Sequence, residues 1–159
     1  MDNLDAMAEK IRKSLSEKDE AREKMLPLCR DSIRFSSTAI RSVHRHEFKE
    51  AEKHIISARE VLKEAEKAIV DCSELGNTGA VKDAQKELCE ASIVLALVNG
   101  KNPPEPEQLG VDAAAYLNGL GEAVGEIRRY LLDGLRTGDL SRGDELQGVL
   151  DDLGRMRGP

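Results

Sequence analysis

The sequence predicts an all-α protein, an antiparallel bundle of about five to seven helices that forms one domain over residues 1–159. Apolar residues recur at alternating steps of three and four along most of the chain, which is the spacing of one helix face. Charged residues make up 34% of the chain and aromatic residues 3%, with no Trp, which favours helices packed through small aliphatic side chains. We find no segment with the alternation of a strand.

The first half of the chain predicts two long helices. The first begins with a narrow apolar stripe formed by Leu4, Met7, Ile11 and Leu15. Pro27 is expected to kink this helix or restart it. From Phe48 to Ile69 the apolar positions form a heptad seam with Glu and Lys outside it. The segment 76–79 ends this second helix, and Thr78 is the expected cap of the third.

The second half predicts a buried helix and a helix that contains glycines. The stretch 88–98, LCEASIVLALV, is apolar nearly all round and should be the buried centre of the fold. After a loop rich in proline, the fourth helix begins near Val111 and ends at Gly138. Its apolar stripe comprises Leu117, Leu120, Val124, Ile127, Leu131 and Leu135. Ser141 with Asp144 is the expected capping pair of a short last helix.

The glycines of the fourth helix predict a close contact. Gly119, Gly121 and Gly125 each weaken a helix by roughly 1 kcal/mol relative to Ala. We therefore expect another backbone or a ligand to approach the helix at these positions.

Charge and cysteine usage limit the classes of function. The net charge of −6 means that nucleic-acid binding would require a locally basic face. The three cysteines, Cys29, Cys72 and Cys89, have no C-x-x-C spacing and are expected to be reduced core thiols. We see neither a signal peptide nor an apolar run long enough to span a membrane, so a cytoplasmic protein without a membrane segment is expected.

Acidic residues within apolar helical stretches are the main candidate site. These residues are Glu87, Glu90, Glu122 and Glu126. Removing a carboxylate from water costs several kcal/mol unless a cation or a donor compensates it. If the two helices face each other, the four glutamates predict a site for Mg²⁺ or Mn²⁺ and therefore phosphoester chemistry. The alternatives are a solvated Glu87 and a buried Glu90 that pairs with an arginine. Glu122 and Glu126 could also form an exposed rim that pairs with Arg128, Arg129 or Lys86.

The spacing of the glutamates and histidines can be compared with the patterns of two families of helical metal enzymes. Ferritin-like di-iron bundles need Glu-x-x-His on two helices, which no histidine of this chain supplies. All-α nucleoside triphosphate pyrophosphohydrolases use Glu-x-x-Glu followed by Glu-x-x-Asp. Glu87 and Glu90 fit the first half of that pattern, whereas Glu122 and Glu126 are spaced wrongly for the second. This class stays as an enzymatic alternative.

Basic residues on the first helix predict a surface that binds phosphates. Arg30, Arg34, Arg41 and Arg45 fall within roughly a 60° arc, and His44 borders that arc. Lys82 and Lys86 precede the glutamates of the third helix by about one turn. Since aromatic residues for base stacking are scarce, we expect recognition of a nucleic-acid backbone with little sequence preference. The alternative is that the arginines pair with acidic helices of other molecules.

The sequence resembles the translin family in two segments. Residues 34–45, RFSSTAIRSVHR, resemble the start of the family, and residues 116–140, YLNGLGEAVGEIRRYLLDGLRTGDL, resemble its C-terminal signature. Among the subunits of this family, the chain is most similar to translin-associated factor X. Glu87 and Glu90 match its Glu-x-x-Glu pair, Glu122 stands where its third acid is usually Asp, and Glu126 matches the Glu of its Glu-Leu-x-Arg motif.

The resemblance implies a subunit of a closed oligomeric shell, an octamer in this family, that holds RNA inside and cuts it. We expect a Mg²⁺-dependent endoribonuclease that acts on single-stranded RNA, with Glu87, Glu90, Glu122 and Glu126 as metal-binding and catalytic residues. A homo-oligomer is expected, with or without a translin-like partner subunit. The alternative within the family is a shell protein that binds single-stranded RNA or DNA without cutting it.

Overall fold

A computed structural model describes residues 2–139 and 141–155, while Met1, Leu140 and residues 156–159 of the predicted domain lie outside the described residues. The described residues form six α-helices and no strand, as the sequence predicts. The helices are α1 (Asp2–His44), α2 (Phe48–Ala68), α3 (Gly79–Val98), α4 (Pro106–Leu109), α5 (Ala113–Thr137) and α6 (Gly143–Arg155). A short 3₁₀ helix, Ser73–Asn77, precedes α3.

Helix α1 runs without a break through Pro27, so the predicted restart of the helix at this residue is wrong. The proline removes one backbone donor, but its ring lies on the exposed side of the helix, where water can bind the carbonyl group that is left without a partner. Met25 and Cys29, on the other side, are buried against α2 and α3. This packing keeps both halves of α1 in one helix.

Helices α1 and α2 form a hairpin through the three-residue link 45–47. His46 in this link has a φ angle of 60°, a left-handed conformation that lets the chain reverse within three residues. The buried hydroxyl of Ser32 donates to the carbonyl oxygen of Ala58 at 2.9 Å and so connects the two helices. Such short links place consecutive helices antiparallel.

Helix α3 is the centre of the bundle and contacts α1, α2 and α5. The predicted burial of its second half is confirmed, since most residues from Leu88 to Val98 are buried. The three cysteines are free and buried, as predicted. In the described part of the chain, none of the helices combines the length and the apolar character that crossing a membrane requires.

Helix α5 packs on the core through small residues and through part of the predicted apolar stripe. Its buried positions are Ala115, Gly119, Ala123 and Ile127. The predicted stripe is confirmed for Ile127 and for the partly buried Leu120, Val124 and Leu131. It is wrong for Leu117 and Leu135, which are 65% and 58% exposed. The small residues follow one another at steps of four and let the backbones of the two helices approach closely.

Gly119 is the glycine at which this approach is closest. A Cβ atom there would lie 2.6 Å from the Cβ of Cys89 and 2.7 Å from the carbonyl oxygen of Lys86. At Gly125 a Cβ would meet nothing within 4 Å in the described structure, so the predicted close contact is present at Gly119 and absent at Gly125.

The helix ends agree partly with the predicted caps. Gly138 ends α5 in the left-handed conformation, as predicted, and Asp112 caps its first turn by accepting from the backbone of Ala115. Thr78 occupies the cap position of α3, but its hydroxyl donates to Leu75 instead of capping. Ser141 donates to Asp139 at 2.7 Å, so the predicted capping pair of Ser141 with Asp144 does not form.

Candidate metal centre

Three of the four predicted glutamates converge between α3 and α5. Glu87, Glu90 and Glu122 each place a carboxylate oxygen within 4.8 Å of the others. Glu87 and Glu90 lie one turn apart on α3, while Glu122 follows Gly119 by one turn on α5. Because Gly119 lets α5 lie against the backbone of α3, Glu122 comes within reach of the α3 pair.

Glu90 is the buried member of this group, which we call the carboxylate cluster (Glu87, Glu90 and Glu122). It is 7% exposed. The pKa of Glu90 is raised to about 8, mostly by burial and also by the negative charges of Glu87, Glu122 and Glu126. Among the residues that the structure describes, Glu90 has no ion-pair partner, so the predicted alternative of a pairing with an arginine is not what the structure shows. The cluster therefore lacks positive charge at its most buried oxygen.

Lys86, which the sequence analysis assigned to RNA, lies at the exposed edge of the carboxylate cluster. Its Nζ is 2.9 Å from Glu122 Oε1 and 3.4 Å from Glu87 Oε1. These contacts, with Glu122 first, raise the pKa of Lys86 and keep it charged. The ammonium group partly neutralises the two more exposed carboxylates and leaves Glu90 without a cation.

Glu126 has a different role from the other three glutamates. Its Oε2 is 2.6 Å from Nε2 of His44, on α1, and 3.8 Å from the guanidinium group of Arg129. His44 was predicted as an RNA-binding residue, yet its side chain is only 11% exposed and contacts α5. Both residues were predicted from the sequence but their pairing was not, because residues 82 positions apart give no spacing signal.

The donor set of the carboxylate cluster fits Mg²⁺ or Mn²⁺. All three side chains offer oxygen atoms, the ligands that these hard ions prefer. The neighbouring thiol of Cys89 is protonated, because burial raises its pKa to about 12. Glu90 has no positive charge beside it, and Glu87 and Glu122 share one lysine. A divalent cation would supply the positive charge that the three carboxylates lack.

The raised pKa of Glu90 predicts a pH dependence of stability in the absence of metal. In the unfolded chain this carboxyl ionises near 4.5, whereas in the folded chain it keeps its proton up to about pH 8. Between these values the folded state binds the extra proton, so stability falls as pH rises, by about 2–4 kcal/mol in total. Urea unfolding from pH 5 to pH 8.5 in EDTA should show this fall. Glu90→Gln should remove it, and an unchanged slope in that variant would contradict the assignment.

The predicted basic surface is only partly free to bind a ligand. Arg34 pairs with Asp31 at 2.9 Å, and Arg45 pairs with Glu47 at 2.9 Å. Lys82 pairs with Asp112 of the α5 cap. The remaining exposed arginines, Arg30 and Arg41, have no carboxylate partner in the described residues, and Arg41 donates to Thr38 at 2.8 Å.

A cavity beside His44 was not predicted from the sequence. It has a volume of about 820 Å³ and lies between α5, α6 and the end of α1. Its wall includes His44, His46, Tyr130 and Arg142. Through His44 it adjoins Glu126, so a ligand in this cavity would lie next to the acidic side of α5. The sequence feature that could have indicated it is the presence of His44 and His46 at the end of α1 and of Tyr130 on α5.

Comparisons with known proteins agree with this architecture. No protein-family model matches the sequence. A curated relative is the uncharacterized protein MJ0175 of Methanocaldococcus jannaschii, 26% identical over 144 residues. The match covers 87% of this chain, and the chain spans 62% of the length of that relative.

Solved structures of C3PO proteins share the fold. AfC3PO matches with 31% identity and a TM-score of 0.84, over 96% of this chain and 82% of that one. AfC3PO in a complex with duplex RNA matches with 31% identity and a TM-score of 0.81, over 92% and 75%. Apo-NeC3PO, at 23% identity, has a TM-score of 0.77 over 96% and 79% and shares the fold alone. By its likeness to AfC3PO along most of both chains, this protein belongs to the translin family.

Proposed function

We propose that this protein is a Mg²⁺-dependent endoribonuclease that cuts single-stranded RNA. The observation that carries the proposal is the convergence of Glu87, Glu90 and Glu122 around a buried carboxylate that no cation of the described residues compensates. Ribonucleases of this kind need positive charge where a phosphate is attacked, and three carboxylates can fix a divalent ion there.

Each residue of the site has a distinct part in this proposal. Glu87, Glu90 and Glu122 hold the ion, which when bound polarises a phosphate oxygen and activates water. Glu126 contributes negative charge beside them and is oriented by His44. Lys86, beside Glu87 and Glu122 at the exposed edge of the carboxylate cluster, would be placed to pair with an RNA phosphate there.

The comparisons support an RNA ligand. AfC3PO, to which this chain is similar along most of its length, has been solved in a complex with duplex RNA. We extend RNA binding to this chain, with Arg30, Arg34, Arg41, His44, Arg45, Lys82 and Lys86 as the binding residues. As the resemblance implies, the active form is an oligomeric shell, an octamer, of this subunit alone or with a translin-like partner.

Cleavage of labelled RNA tests the proposal. The protein should cut single-stranded RNA with Mg²⁺ and stop in EDTA, and should leave 5′-phosphate and 3′-hydroxyl ends. Cyclic 2′,3′-phosphate ends would show attack by the RNA's own hydroxyl group and would overturn the mechanism. A blunt duplex of the same sequence, assayed in parallel, shows whether the substrate is single- or double-stranded. Release of pyrophosphate from free nucleotides would instead favour a pyrophosphohydrolase.

The ion pairs of Lys86 favour a second function, an RNA-binding shell protein without catalysis. A lysine held by Glu87 and Glu122 is an internal cation, and such an arrangement is stable without metal. This protein would bind RNA equally in Mg²⁺ and in EDTA and would leave it intact. Calorimetric titration with Mn²⁺ separates the two functions before any RNA is added, since the binding protein should take up no ion at this site.

RNA affinity should depend on the two arginines that have no carboxylate partner. The double variant Arg30→Gln/Arg41→Gln should bind single-stranded RNA more weakly, by about tenfold for each arginine lost. The slope of log affinity against log salt should become shallower by about 1.4, since each phosphate contact contributes about 0.7 on a single strand. Lys63→Gln, an exposed lysine of α2, is the control. Equal losses in the control and the double variant would contradict a specific surface.

A further inference from the structure

The N-terminal segment of α1, residues 3–18, is exposed along most of its length in the described structure. Between Asn3 and Lys18 every residue is exposed except Ala8 and Lys18, which are half-buried. The segment is about 24 Å long and extends beyond the part of α1 that packs on α2 and α3. Apolar side chains nevertheless lie along it, with exposures of 70% for Leu4, 51% for Met7, 57% for Ile11 and 57% for Leu15. A continuous exposed apolar stripe of this kind marks an interaction surface.

We infer that this segment packs antiparallel against the same segment of a second copy of the chain. Leu4, Ile11 and Leu15 of the stripe, together with Ala8, are self-complementary in that arrangement, and Met7 lies at the edge of the contact. If residue i of one helix lies opposite residue 19 − i of the other, Leu4 meets Leu15 and Ala8 meets Ile11. These four positions are spaced by four, three and four residues, so they face the partner as a narrow seam. The two-fold axis passes between residues 9 and 10.

The charges of the segment select the antiparallel orientation. Residues 3–9 contain two acids, Asp5 and Glu9, and no base. Residues 10–16 contain three bases, Lys10, Arg12 and Lys13, and no acid. In the antiparallel pair the acidic half of each helix lies along the basic half of the other. In a parallel pair like charges would face each other, which is destabilising.

The seam is too short to form a standard dimer interface by itself. Four positions on each helix form a smaller surface than the roughly 800 Å² per partner of a standard interface. We therefore place this contact within a larger assembly, where other surfaces of the subunit also meet. Lys18 pairs with Glu74 of the 3₁₀ helix at 2.6 Å, which fixes the segment to the bundle at its C-terminal end. The inference does not depend on nuclease activity.

Cysteine cross-linking tests the pairing and its orientation. In the antiparallel pair the double variant Leu4→Cys/Leu15→Cys should form a covalent dimer under mild oxidation. Each single variant should not, because Leu4 and its copy are then about 16 Å apart along the axis. The native cysteines are buried, so the wild-type protein is the control. Dimers from the single variants would show a parallel pair, and no dimer from the double variant would show that something else covers the stripe. Either result overturns the inference.

A charge on the seam provides the second measurement. Ile11→Glu should reduce the molar mass of the assembly in solution at least by half, measured by light scattering. Ala6→Glu introduces the same charge on the opposite face of α1 and should leave the mass unchanged. Far-ultraviolet circular dichroism should be the same for both variants, since neither residue packs on the bundle. An unchanged mass for Ile11→Glu would overturn the inference. RNA is absent from both tests, so they stand apart from the proposed catalysis.

Discussion

Glu90→Gln is expected to lower RNA cleavage by about 10³-fold and to make the metal-free protein more stable at pH 8. The amide keeps the shape of the side chain but cannot supply the negative charge that holds the ion, which is worth several kcal/mol in the transition state. In the metal-free protein the same change removes a carboxyl group whose pKa is raised to about 8, mostly by burial. At pH 8 the variant should gain about as much free energy of unfolding as the metal-free wild type loses between pH 5 and pH 8.

The two readouts of Glu90→Gln separate a metal ligand from a structural residue. Mn²⁺ affinity measured by calorimetry should fall with the cleavage rate, whereas thermal stability in EDTA should rise. Glu60→Gln, at an exposed position of α2, is the matched control and should change none of these quantities. If Glu90→Gln keeps full activity, or loses stability in EDTA, the residue does not have the role given to it here.

Gly119→Ala is expected to destabilise the protein by roughly 2 kcal/mol and to lower cleavage by about 10²-fold. The new methyl group would overlap the Cβ of Cys89 and the carbonyl oxygen of Lys86, neither of which can move without moving α3. This steric cost exceeds the gain of about 1 kcal/mol that alanine brings to a helix. Because α5 must shift away, Glu122 moves relative to the α3 glutamates, and a misplacement of about 1 Å is enough for such a loss of rate.

Gly125→Ala is the control for this experiment. It lies on the same helix, in open space in the described structure, so only the gain in helix propensity remains. Its melting temperature should rise by about 2–4 °C, while that of Gly119→Ala should fall by about 4–8 °C. Equal shifts in the two variants would show that α5 does not rest on α3 at Gly119.

Much of the fold follows from local patterns that the sequence displays directly. The heptad seam of α2, the apolar second half of α3 and the glycine that ends α5 predict their elements correctly. Pro27 misled the prediction, because the penalty of a proline depends on whether its side of the helix faces water. The leucines of α5 misled it as well, because hydrophobicity alone does not show which face of a helix a neighbour can approach.

The residues of the site could be predicted from the sequence, but the pairs that they form only in part. The convergence of Glu87, Glu90 and Glu122 followed from two acidic helices and the expectation that they meet. The contacts of His44 with Glu126 and of Lys86 with Glu122 join residues 82 and 36 positions apart, which only tertiary packing brings together. The pairing of Lys86 was one of the alternatives that the sequence left open, whereas the pairing of His44 with Glu126 was not predicted.

The unbroken course of α1 has a mechanical consequence for the whole molecule. Leu4 lies near the beginning of this helix and His44 lies at its end, about 60 Å from Leu4 along the helix axis. A straight helix fixes not only that distance but also the angle between side chains at its two ends. Inserting a single residue near position 20 would turn the two ends by about 100° relative to each other. In the pairing inferred for residues 3–18, the orientation of the second copy would therefore be fixed relative to His44 and its partner Glu126.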